Sequence, residues 1–546
     1  MDNIVNKIIN SITPISSSKQ TKEPIHRNKK TMDKGTTDKG TDKGTTDKGT
    51  DKGTDKGTDK GTDKGTDKGT DKGTKTNEKI NNGLFIFRRD LRIQDNHGLI
   101  EAVSRCNTVY PVFIFTPEQT SASANKYRSA NAIQFMIESL DDLQREIHKK
   151  GGTLGIFYGH NKTIVERIIS QYKIDAVFFN KDITPYAVKR DEELAKLMPP
   201  GRVFACDTDY YLLPPKSVVS AGSGNVYEKF TPYYEKILYD GLKHIPRPQY
   251  LKTYKFASLG TFGNYDLRTA YVSLIEPNPN LLLSGGRSEA LSRIQSRALR
   301  PHANYKKNHN MLHIPTTQLS AYIKFGCVSI REVFYAIKTA QGIGSDIIRQ
   351  LVWRDFYANL LYEHPSVLGR ALKPVYNRVN WRHNAGYLDA WKRGETGFPI
   401  VDAGMRQLNT VGYMHNRARL IVASFLVKTL LLDWREGEKY FATQLLDYDP
   451  ASNNGNWQWV AGTGADSQPY FRIFNPWNQS ENYDNDAEYI KTWIPALKDV
   501  PAKHIHEWYK YGEQHPEVAS TYITKPIVVY ETQRDKALDM YKSAFS

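Results

Sequence analysis

Short apolar segments alternate with helical patterns between residues 83 and 206. The segments G-L-F-I-F, T-V-Y-P-V-F-I-F-T, T-L-G-I-F-Y-G and A-V-F-F-N are aromatic-rich runs of the kind that parallel sheets bury on both faces. Apolar spacing predicts helices at 130–150, 162–172 and 185–197, and a fifth strand at 202–206. This alternation predicts a doubly wound α/β domain over residues 83–208. Because no G-x-G-x-x-G sequence occurs in it, a dinucleotide site of the usual kind is not expected there.

A low-complexity segment precedes this domain. Residues 1–32 are polar and basic, and residues 33–74 are a tandem D-K-G-T repeat. Within the repeat, frequent glycine and the absence of apolar side chains leave nothing to offset the backbone entropy that folding would cost, and residues 1–32 contain only one short apolar run. The sequence therefore predicts a disordered tail over residues 1–76 that acts as a flexible tether.

The remainder of the chain changes character twice. Residues 209–286 are rich in Pro, Gly, Ser and Tyr, and we predict an interdomain connector without regular structure there. Residues 287–546 have helical spacing and predict an all-α domain. The predicted helices are 287–297, 319–325, 330–339, 347–363, 403–410, 416–431 and 437–445.

Charge and cysteine usage limit the classes of function. The formal net charge of +16 favours a polyanionic partner such as nucleic acid, although solubility alone could also explain it. The three cysteines, Cys106, Cys206 and Cys327, are too far apart for a disulfide framework or a local zinc motif, which fits a reducing intracellular compartment. No apolar run approaches the ~18 to 20 residues that span a bilayer, and no secretory signal is recognisable. We therefore expect no membrane association and no metal.

The stretch D-Y-D-P-A-S-N-N-G-N-W-Q-W at 447–459 is the most unusual in the chain. Its D-P and N-N-G parts are typical of a surface turn, and the glycine lets the backbone approach another group closely. Trp457 and Trp459 do not fit a simple turn, because two large rings usually pack against a partner. All nine tryptophans lie between residues 353 and 508, so any aromatic chemistry is C-terminal.

Two kinds of residue in the helical region suit a phosphate. Hydroxyls and backbone N–H groups at the start of a helix can bind phosphate or diphosphate, although an ordinary helix cap explains them as well. Arginines beside aromatic residues suit a site that holds a phosphate and a stacked base, although each alone could be structural. The first set is Thr316, Thr317, Gln318, Leu319 and Ser320; the second is Arg354 beside Trp353, Arg472, and Arg417 and Arg419, with which Asp447 or Asp449 could pair.

Seven motifs in order resemble the DNA photolyase and cryptochrome family. The resemblance covers residue 83 to the C-terminus and is greatest to class I cyclobutane pyrimidine dimer photolyases. The motifs are R-R-D-L-R-I-Q-D-N (88–96), T-T-Q-L-S (316–320), W-R-D-F-Y (353–357), G-F-P-I-V-D-A-G-M-R-Q-L (397–408), M-H-N-R-A-R (414–419), D-W-R-E-G-E (433–438) and N-N-G-N-W-Q-W (453–459).

The resemblance implies FAD bound in the helical domain, with light-driven electron transfer from reduced flavin splitting an extruded pyrimidine dimer. Asn453 matches the asparagine that faces flavin N5, where an amide favours the reduced ring by hydrogen bonding. Asp447 and Asp449 match acids near the flavin and its ribose, with Arg419 as the partner of Asp447. Residues that match the family's phosphate-binding segment are Tyr305, Thr316, Thr317, Gln318, Leu319 and Ser320.

The resemblance also assigns the tryptophans. Trp457, Trp434 and Trp381 match the chain of indoles that carries electrons from the surface to the flavin. Trp353 and Trp459 match the two rings that clamp a cyclobutane dimer. Arg354, Arg417 and Arg472 match contacts to the DNA phosphates around the lesion.

Three positions bear on the type of lesion. Enzymes that repair the (6-4) photoproduct have histidines at the positions of Asn416 and Leu420, where they act as proton donors. Without them, the acid-base step of (6-4) repair has no obvious proton donor in this chain. Gln350 stands where class I enzymes have a glutamate and is more like the (6-4) and animal cryptochrome branch; Leu420 also replaces the usual methionine. We therefore expect working but less efficient dimer repair, with a blue-light photoreceptor and a (6-4) photolyase as alternatives.

The resemblance further implies an antenna pigment in the α/β domain. The segment N-K-D-I-T-P-Y-A-V-K-R-D at 180–191 is closer to the form seen in deazaflavin-type members than to the folate-binding form. An empty antenna site is equally compatible with the sequence. The expected partner is ultraviolet-damaged DNA, bound by a monomer.

Overall fold

The structure is a computed structural model, and it describes residues 80–260, 262 and 265–545. They belong to one compact unit that spans Thr76–Ser546. The tail predicted for residues 1–76 lies outside the described residues.

A parallel sheet of five strands forms the N-terminal layer, in the order β3-β2-β1-β4-β5. Alternate residues of β1 enter different cores: Phe85 and Phe87 pack on one face of the sheet, and Leu84 and Ile86 pack on the other. Burial on both faces explains the continuous apolar run at residues 84–87, and the parallel sheet confirms the predicted α/β layer. The strands are β1 (Ile80–Phe87), β2 (Cys106–Phe115), β3 (Gly155–Tyr158), β4 (Ala176–Asn180) and β5 (Val203–Cys206).

Helices connect these strands and continue into the segment that follows. The prediction that residues 209–286 lack regular structure is wrong, because the segment contains two helices and a π-helical turn. Its aromatic side chains supply the reason: Tyr210, Tyr211, Phe230 and Tyr233 are buried in the same core as the sheet. The helices are His97–Arg105, Pro117–Thr120, Ala130–His148, Asn161–Tyr172, Pro185–Ala195, Phe230–Lys236 and Leu267–Leu274, and the π turn is Ile237–Gly241.

The described residues from 287 onward contain helices and no strand, as predicted. The predicted helix 416–431 ends at Ser424 and continues as a π-helical turn, Phe425–Thr429. The α-helices are Arg287–Arg293, Ser296–Leu299, Tyr305–Asn308, Ser320–Lys324, Ile330–Gln341, Asp346–Glu363, Ala385–Arg393, Pro399–Val411, Asn416–Ser424, Trp434–Gln444, Pro450–Ala461, Pro476–Tyr483, Glu488–Trp493, Ala502–His506, Trp508–Tyr511 and Tyr530–Ser543. Short 3-10 turns are Arg300–Asn304, Pro365–Val367, Pro374–Arg378, Pro495–Leu497, Gly512–Gln514 and Pro516–Val518.

The stretch expected to be a surface turn is the helix Pro450–Ala461. Asp449 caps it by accepting a hydrogen bond from the N–H of Ser452 at 3.0 Å, and Pro450 occupies its first turn. Gly455 does permit a close approach, as predicted, because a Cβ there would lie 2.1 Å from the ring of Tyr357. The turn-forming residues therefore begin and pack a helix.

Buried ion pairs join the sheet to the helical region. Arg92 donates two hydrogen bonds to Asp209, at 2.7 and 2.8 Å. Arg331, on the helix Ile330–Gln341, donates to Asp95 at 2.9 Å and to Asp209 at 3.1 Å. Because these groups are buried and mutually paired, they fix the orientation of the helical region against the sheet.

Two expectations from the sequence, on membrane-spanning segments and on the cysteines, can be compared with the described residues. None of their helices is both long and apolar enough to cross a membrane. Cys106, Cys206 and Cys327 are free thiols.

Candidate cofactor and lesion site

A cavity of about 400 Å³ lies among the helices and brings together most of the predicted site. A smaller cavity of about 90 Å³ shares seven of its residues and adds Asn453 and Trp457. Residues predicted from the sequence that line the larger cavity are Tyr305, Thr316, Thr317, Leu319, Ser320, Gln350, Trp353, Arg354, Asn416, Arg419, Leu420, Asp447, Asp449 and Trp459.

Asp447 connects three segments of the chain that line the larger cavity, since it is hydrogen-bonded to Arg419 and to Ser320. Its carboxylate accepts hydrogen bonds from Arg419 Nη2 at 2.9 and 3.1 Å, so the predicted pair is present. It also accepts from the Ser320 hydroxyl at 2.6 Å. Because the guanidinium is already paired, Arg419 can face a ligand in this cavity with its charge partly balanced and its position fixed.

Asp449 connects the cavity to the sheet. Its carboxylate accepts from Arg89 Nη2 at 2.9 Å, and Arg89 also contacts Asp182 at 3.3 Å. Burial favours the neutral acid, but Arg89 and Lys324 overcome this and hold the pKa of Asp449 well below its usual range. Asp449 is therefore an anion at neutral pH, and its contribution to stability is lost progressively as the pH falls from the ordinary pKa of a carboxyl group toward its own lowered pKa.

Two aromatic rings and an amide also line the larger cavity. The indole of Trp353 stacks on Phe230, with ring centroids 3.6 Å apart and an interplanar angle of 5°. This stacking covers one face of Trp353, whose side chain also lines the larger cavity. Trp459 and Gln350 line the same cavity.

Asn453 and its neighbour bind the helix Trp434–Gln444. Asn453 Nδ2 donates to the backbone carbonyl of Glu438 at 3.0 Å, which leaves its amide oxygen able to accept a bond in the smaller cavity. Asn454 Nδ2 donates to the Glu438 carboxyl group at 2.9 Å. Burial raises the pKa of Glu438 to about 7, against the lowering effect of the Asn454 amide.

The three tryptophans of the predicted electron path are all buried in one hydrophobic cluster. Trp457 reaches the smaller cavity, and its ring contacts Phe441 at 5.0 Å and Trp391 at 6.2 Å. Trp381 packs edge-on against Tyr541 at 5.8 Å. Among the described residues, no comparable ring contact joins Trp457 to Trp434 or Trp434 to Trp381.

Besides Trp381 and Trp434, three predicted residues line neither cavity. Gln318 has φ of +53° and accepts a hydrogen bond from Arg293 at 3.0 Å, so its side chain faces a neighbouring cavity. Arg417 donates to Asn310 at 2.6 Å and lies over the ring of Tyr483. Arg472 is exposed on the loop after the helix Pro450–Ala461.

Other lining residues were not predicted. Ser452 and Asn456 follow Asp449 at helical spacing, and Trp459 continues the same face, so recognising this helix would have revealed them. Tyr357 lies within the quoted W-R-D-F-Y motif but was given no role. Lys324 lines this cavity and also one in the α/β layer, and nothing in its local sequence indicates either position.

The residues present fit a dinucleotide with an aromatic ring system. Hydroxyls of Thr316 and Thr317 and the paired Arg419 supply donors for phosphates. Apolar side chains supply a surface for a flat ring, and the cavity volume lies in the range of small-molecule sites. These apolar residues are Ile323, Val333, Ile337, Ile347 and Leu351.

Comparison with known proteins agrees with this fit. Residues 347–543 match the family model described as the FAD binding domain of DNA photolyase, and residues 84–249 match the model described as DNA photolyase. The chain is an FAD-binding protein. A deoxyribodipyrimidine photo-lyase from Alkalihalophilus pseudofirmus is 36% identical over 475 residues, which cover 84% of this chain and 97% of the relative. The chain belongs to the DNA photolyase family.

Solved structures show the same architecture. An archaeal photolyase from Sulfolobus tokodaii with two FAD molecules is 38% identical, with a TM-score of 0.73, and the match covers 85% of this chain and all of that one. A class III photolyase from Agrobacterium tumefaciens is 31% identical, with a TM-score of 0.77, over 86% of this chain and 98% of that one.

Proposed function

We infer that the protein is a deoxyribodipyrimidine photo-lyase that uses light to split cyclobutane pyrimidine dimers in DNA. One observation carries this inference: most of the residues proposed for FAD and for the lesion line two cavities that share part of their walls. A lesion held there would lie beside the cofactor that reacts with it.

FAD, when bound and reduced, supplies the photoexcited electron that splits the dimer. The chain's own residues hold the reactants. Arg419, fixed by Asp447, and the hydroxyls of Thr316 and Thr317 would bind the phosphates. The amide oxygen of Asn453 can accept a hydrogen bond from a protonated, reduced ring, which would favour that state.

Trp353 and Trp459 would receive the extruded pyrimidines. Damaged bases stack poorly in a duplex and cost less to extrude, and aromatic side chains compensate for the lost stacking. Arg354 lies beside them and donates to the backbone carbonyl of Tyr210 at 2.7 Å, which holds its guanidinium in place. With a net charge of +16, the protein would bind the DNA backbone with affinity that decreases as salt increases.

The residues of the larger cavity, where the lesion would bind, favour the cyclobutane dimer over the (6-4) photoproduct. Asn416 and Leu420 line it, and neither can donate a proton as an imidazolium can. The adjacent His415 does not replace them, because it lines a different cavity. Its Nδ1 accepts the N–H of Arg417, and burial lowers its pKa to about 4, so it is neutral at physiological pH.

The decisive experiment presents both lesions on short DNA duplexes, with and without blue light. We expect the cyclobutane dimer to be reversed only in the light, with little reversal of the (6-4) photoproduct, and an affinity for damaged DNA that decreases steeply with salt. Photoreduction of bound flavin without repair of either lesion would instead identify a photoreceptor. Repair of the (6-4) photoproduct alone would contradict the argument from Asn416 and Leu420.

A cavity of about 220 Å³ at the carboxyl ends of β1 and β2 is suited to an antenna pigment. Asp182, Thr184, Tyr186 and Arg190 line it, all from the segment that resembles deazaflavin-type members. We expect a deazaflavin absorption band, distinct from that of FAD, in protein purified from its native source. A folate band would contradict this; a flavin content of two per chain would instead match the composition of the Sulfolobus tokodaii protein.

A further inference from the structure

The loop at residues 463–475, called here the Phe471 loop, extends the helix that carries Trp457 and Trp459. The N–H of Gln468 donates to the carbonyl of Trp459 at 3.2 Å, so the loop folds back next to the lesion cavity. At its tip the side chain of Phe471 is 62% exposed. Arg472 is also exposed and donates to Gln468 Oε1 at 3.1 Å. An exposed aromatic residue and an exposed cation are thus consecutive in a loop whose base is bonded to Trp459, a residue of the larger cavity.

Several contacts hold the base of this loop. Lys373 Nζ donates to the Ser467 hydroxyl at 2.9 Å, and the ring of Tyr470 stacks on Tyr541 at 5.7 Å. Beneath the tip itself, Lys428 Nζ donates to the backbone carbonyl of Arg472 at 2.7 Å. The position of the exposed tip therefore depends on a contact made by a lysine of the helical core.

Lys428 is an unusual residue to find there. It is 1% exposed, and no carboxylate of the described residues forms an ion pair with it. Burial alone lowers its pKa to about 8, so it remains mostly protonated at neutral pH. Desolvating an ammonium costs more free energy than one hydrogen bond to a carbonyl returns. Lys428 therefore does not contribute to the stability of the fold as a buried apolar side chain would.

Local backbone geometry places this lysine under the loop. Lys428 lies in the π-helical turn Phe425–Thr429, where the N–H of Leu430 donates to the carbonyl of Phe425. Such a turn inserts one residue and shifts the following side chains by about 100° around the helix axis. Single π turns of this kind are frequent at functional sites.

We propose that Lys428 is a positioning residue for DNA, which fixes the backbone at Arg472 so that Phe471 and Arg472 are arranged before the damaged strand binds. The proposal rests on the proposed function, because it assumes that damaged DNA bound at the larger cavity contacts the Phe471 loop. A loop already ordered in the free protein loses less conformational entropy on binding, and its affinity is higher for that reason. An ammonium is suited to the task because its hydrogen bond to a carbonyl is stronger than that of a neutral donor.

Lys428→Met tests the proposal, because methionine fills similar space without charge or donor. We expect flavin content and photoreduction to be unchanged and the melting temperature to be equal or higher. The Kd for a duplex with one cyclobutane dimer should rise about tenfold, and protease cleavage within residues 463–475 of DNA-free protein should be faster. Lys373→Met is the matched control: it removes the lysine at the other end of the loop, and we expect less than about a twofold change in Kd.

A double-mutant cycle separates positioning from a general structural role. If Lys428 acts through Arg472, Lys428→Met should weaken binding much less in an Arg472→Ala background than in the native chain. Additive losses, unchanged Kd, or a parallel loss of melting temperature and flavin would overturn the proposal. Absence of DNA binding by the native chain, together with faster loop cleavage in Lys428→Met, would refute the proposed function and leave only the anchoring of the loop.

Discussion

Trp457→Phe reduces photoreduction of oxidised flavin to background and leaves repair by chemically pre-reduced enzyme intact. Trp457 is 2% exposed and is the tryptophan of the proposed path that reaches the flavin cavities. Phenylalanine can still pack beside Phe441 and Trp391, but its ring is much harder to oxidise than an indole. The measurement is the loss of the oxidised-flavin absorption band under blue light with an external reductant.

Trp391→Phe is the matched control for this experiment. Trp391 is also buried and contacts the ring of Trp457, but it lines neither flavin cavity and lies outside the proposed path of Trp457, Trp434 and Trp381. Photoreduction should therefore survive its replacement. Normal photoreduction in Trp457→Phe would remove the assignment of this residue. Loss of photoreduction in Trp391→Phe would instead indicate that electrons reach Trp457 through Trp391, whose ring contacts it directly.

Asp447→Ala abolishes stable retention of FAD during purification. The substitution removes the partner of Arg419 and the acceptor of the Ser320 hydroxyl in one step. Breaking one side of a partly buried ion pair costs about 3 to 5 kcal/mol, because the remaining charge is left uncompensated. The destabilisation therefore affects the part of the cavity wall that is proposed to bind the phosphates of FAD. The ratio of flavin to protein absorbance in the purified variant measures the effect.

Glu101→Ala is the control, because it removes a carboxylate that is paired with an arginine outside the flavin cavities. Glu101 pairs with Arg105 at 2.9 Å, the same distance as in the Arg419–Asp447 pair, but on an exposed helix face of the α/β layer. Exposed pairs of this kind contribute at most about 1 kcal/mol, so flavin content should remain full. If Asp447→Ala also retains a full complement of FAD, the phosphate end of the cofactor is held elsewhere.

The sheet could be predicted from the sequence because its signal is local. A strand buried on both faces must be apolar at every position, as residues 84–87 and 176–179 are, and such runs separated by helical patterns have few alternative arrangements. The parallel layer follows from four such apolar segments, and the partly buried fifth strand from its position after a predicted helix.

The helix Pro450–Ala461 could not be predicted in this way. It is buried on more than one side and carries polar residues inside, including Asn454 and Gln458, so it has no apolar stripe. Its amides satisfy one another and nearby carbonyls: Gln458 Nε2 donates to Asn454 at 3.0 Å and to the carbonyl of Val367 at 3.2 Å. A sequence rich in Asn and Gly indicates a turn unless these distant partners are known.

The same reason limits prediction of the site. Family resemblance identified the side chains that line the cavities, since motifs preserve residue type. It did not identify Lys324, whose position depends on how the helical region meets the sheet. Nor could it indicate that the side chain of Gln318 turns away, which follows from the left-handed backbone at that residue.

The contact between Arg89 and Asp449 has a consequence for biosynthesis. The two residues are 360 positions apart, yet this ion pair holds the cap of the helix that carries Asn453, Trp457 and Trp459. While the chain is being translated, Arg89 emerges early and has no such partner until more than four fifths of the 546 residues have been synthesised. The flavin cavities are therefore completed late in synthesis, and a product truncated before residue 449 would lack both this ion pair and the helix that it caps.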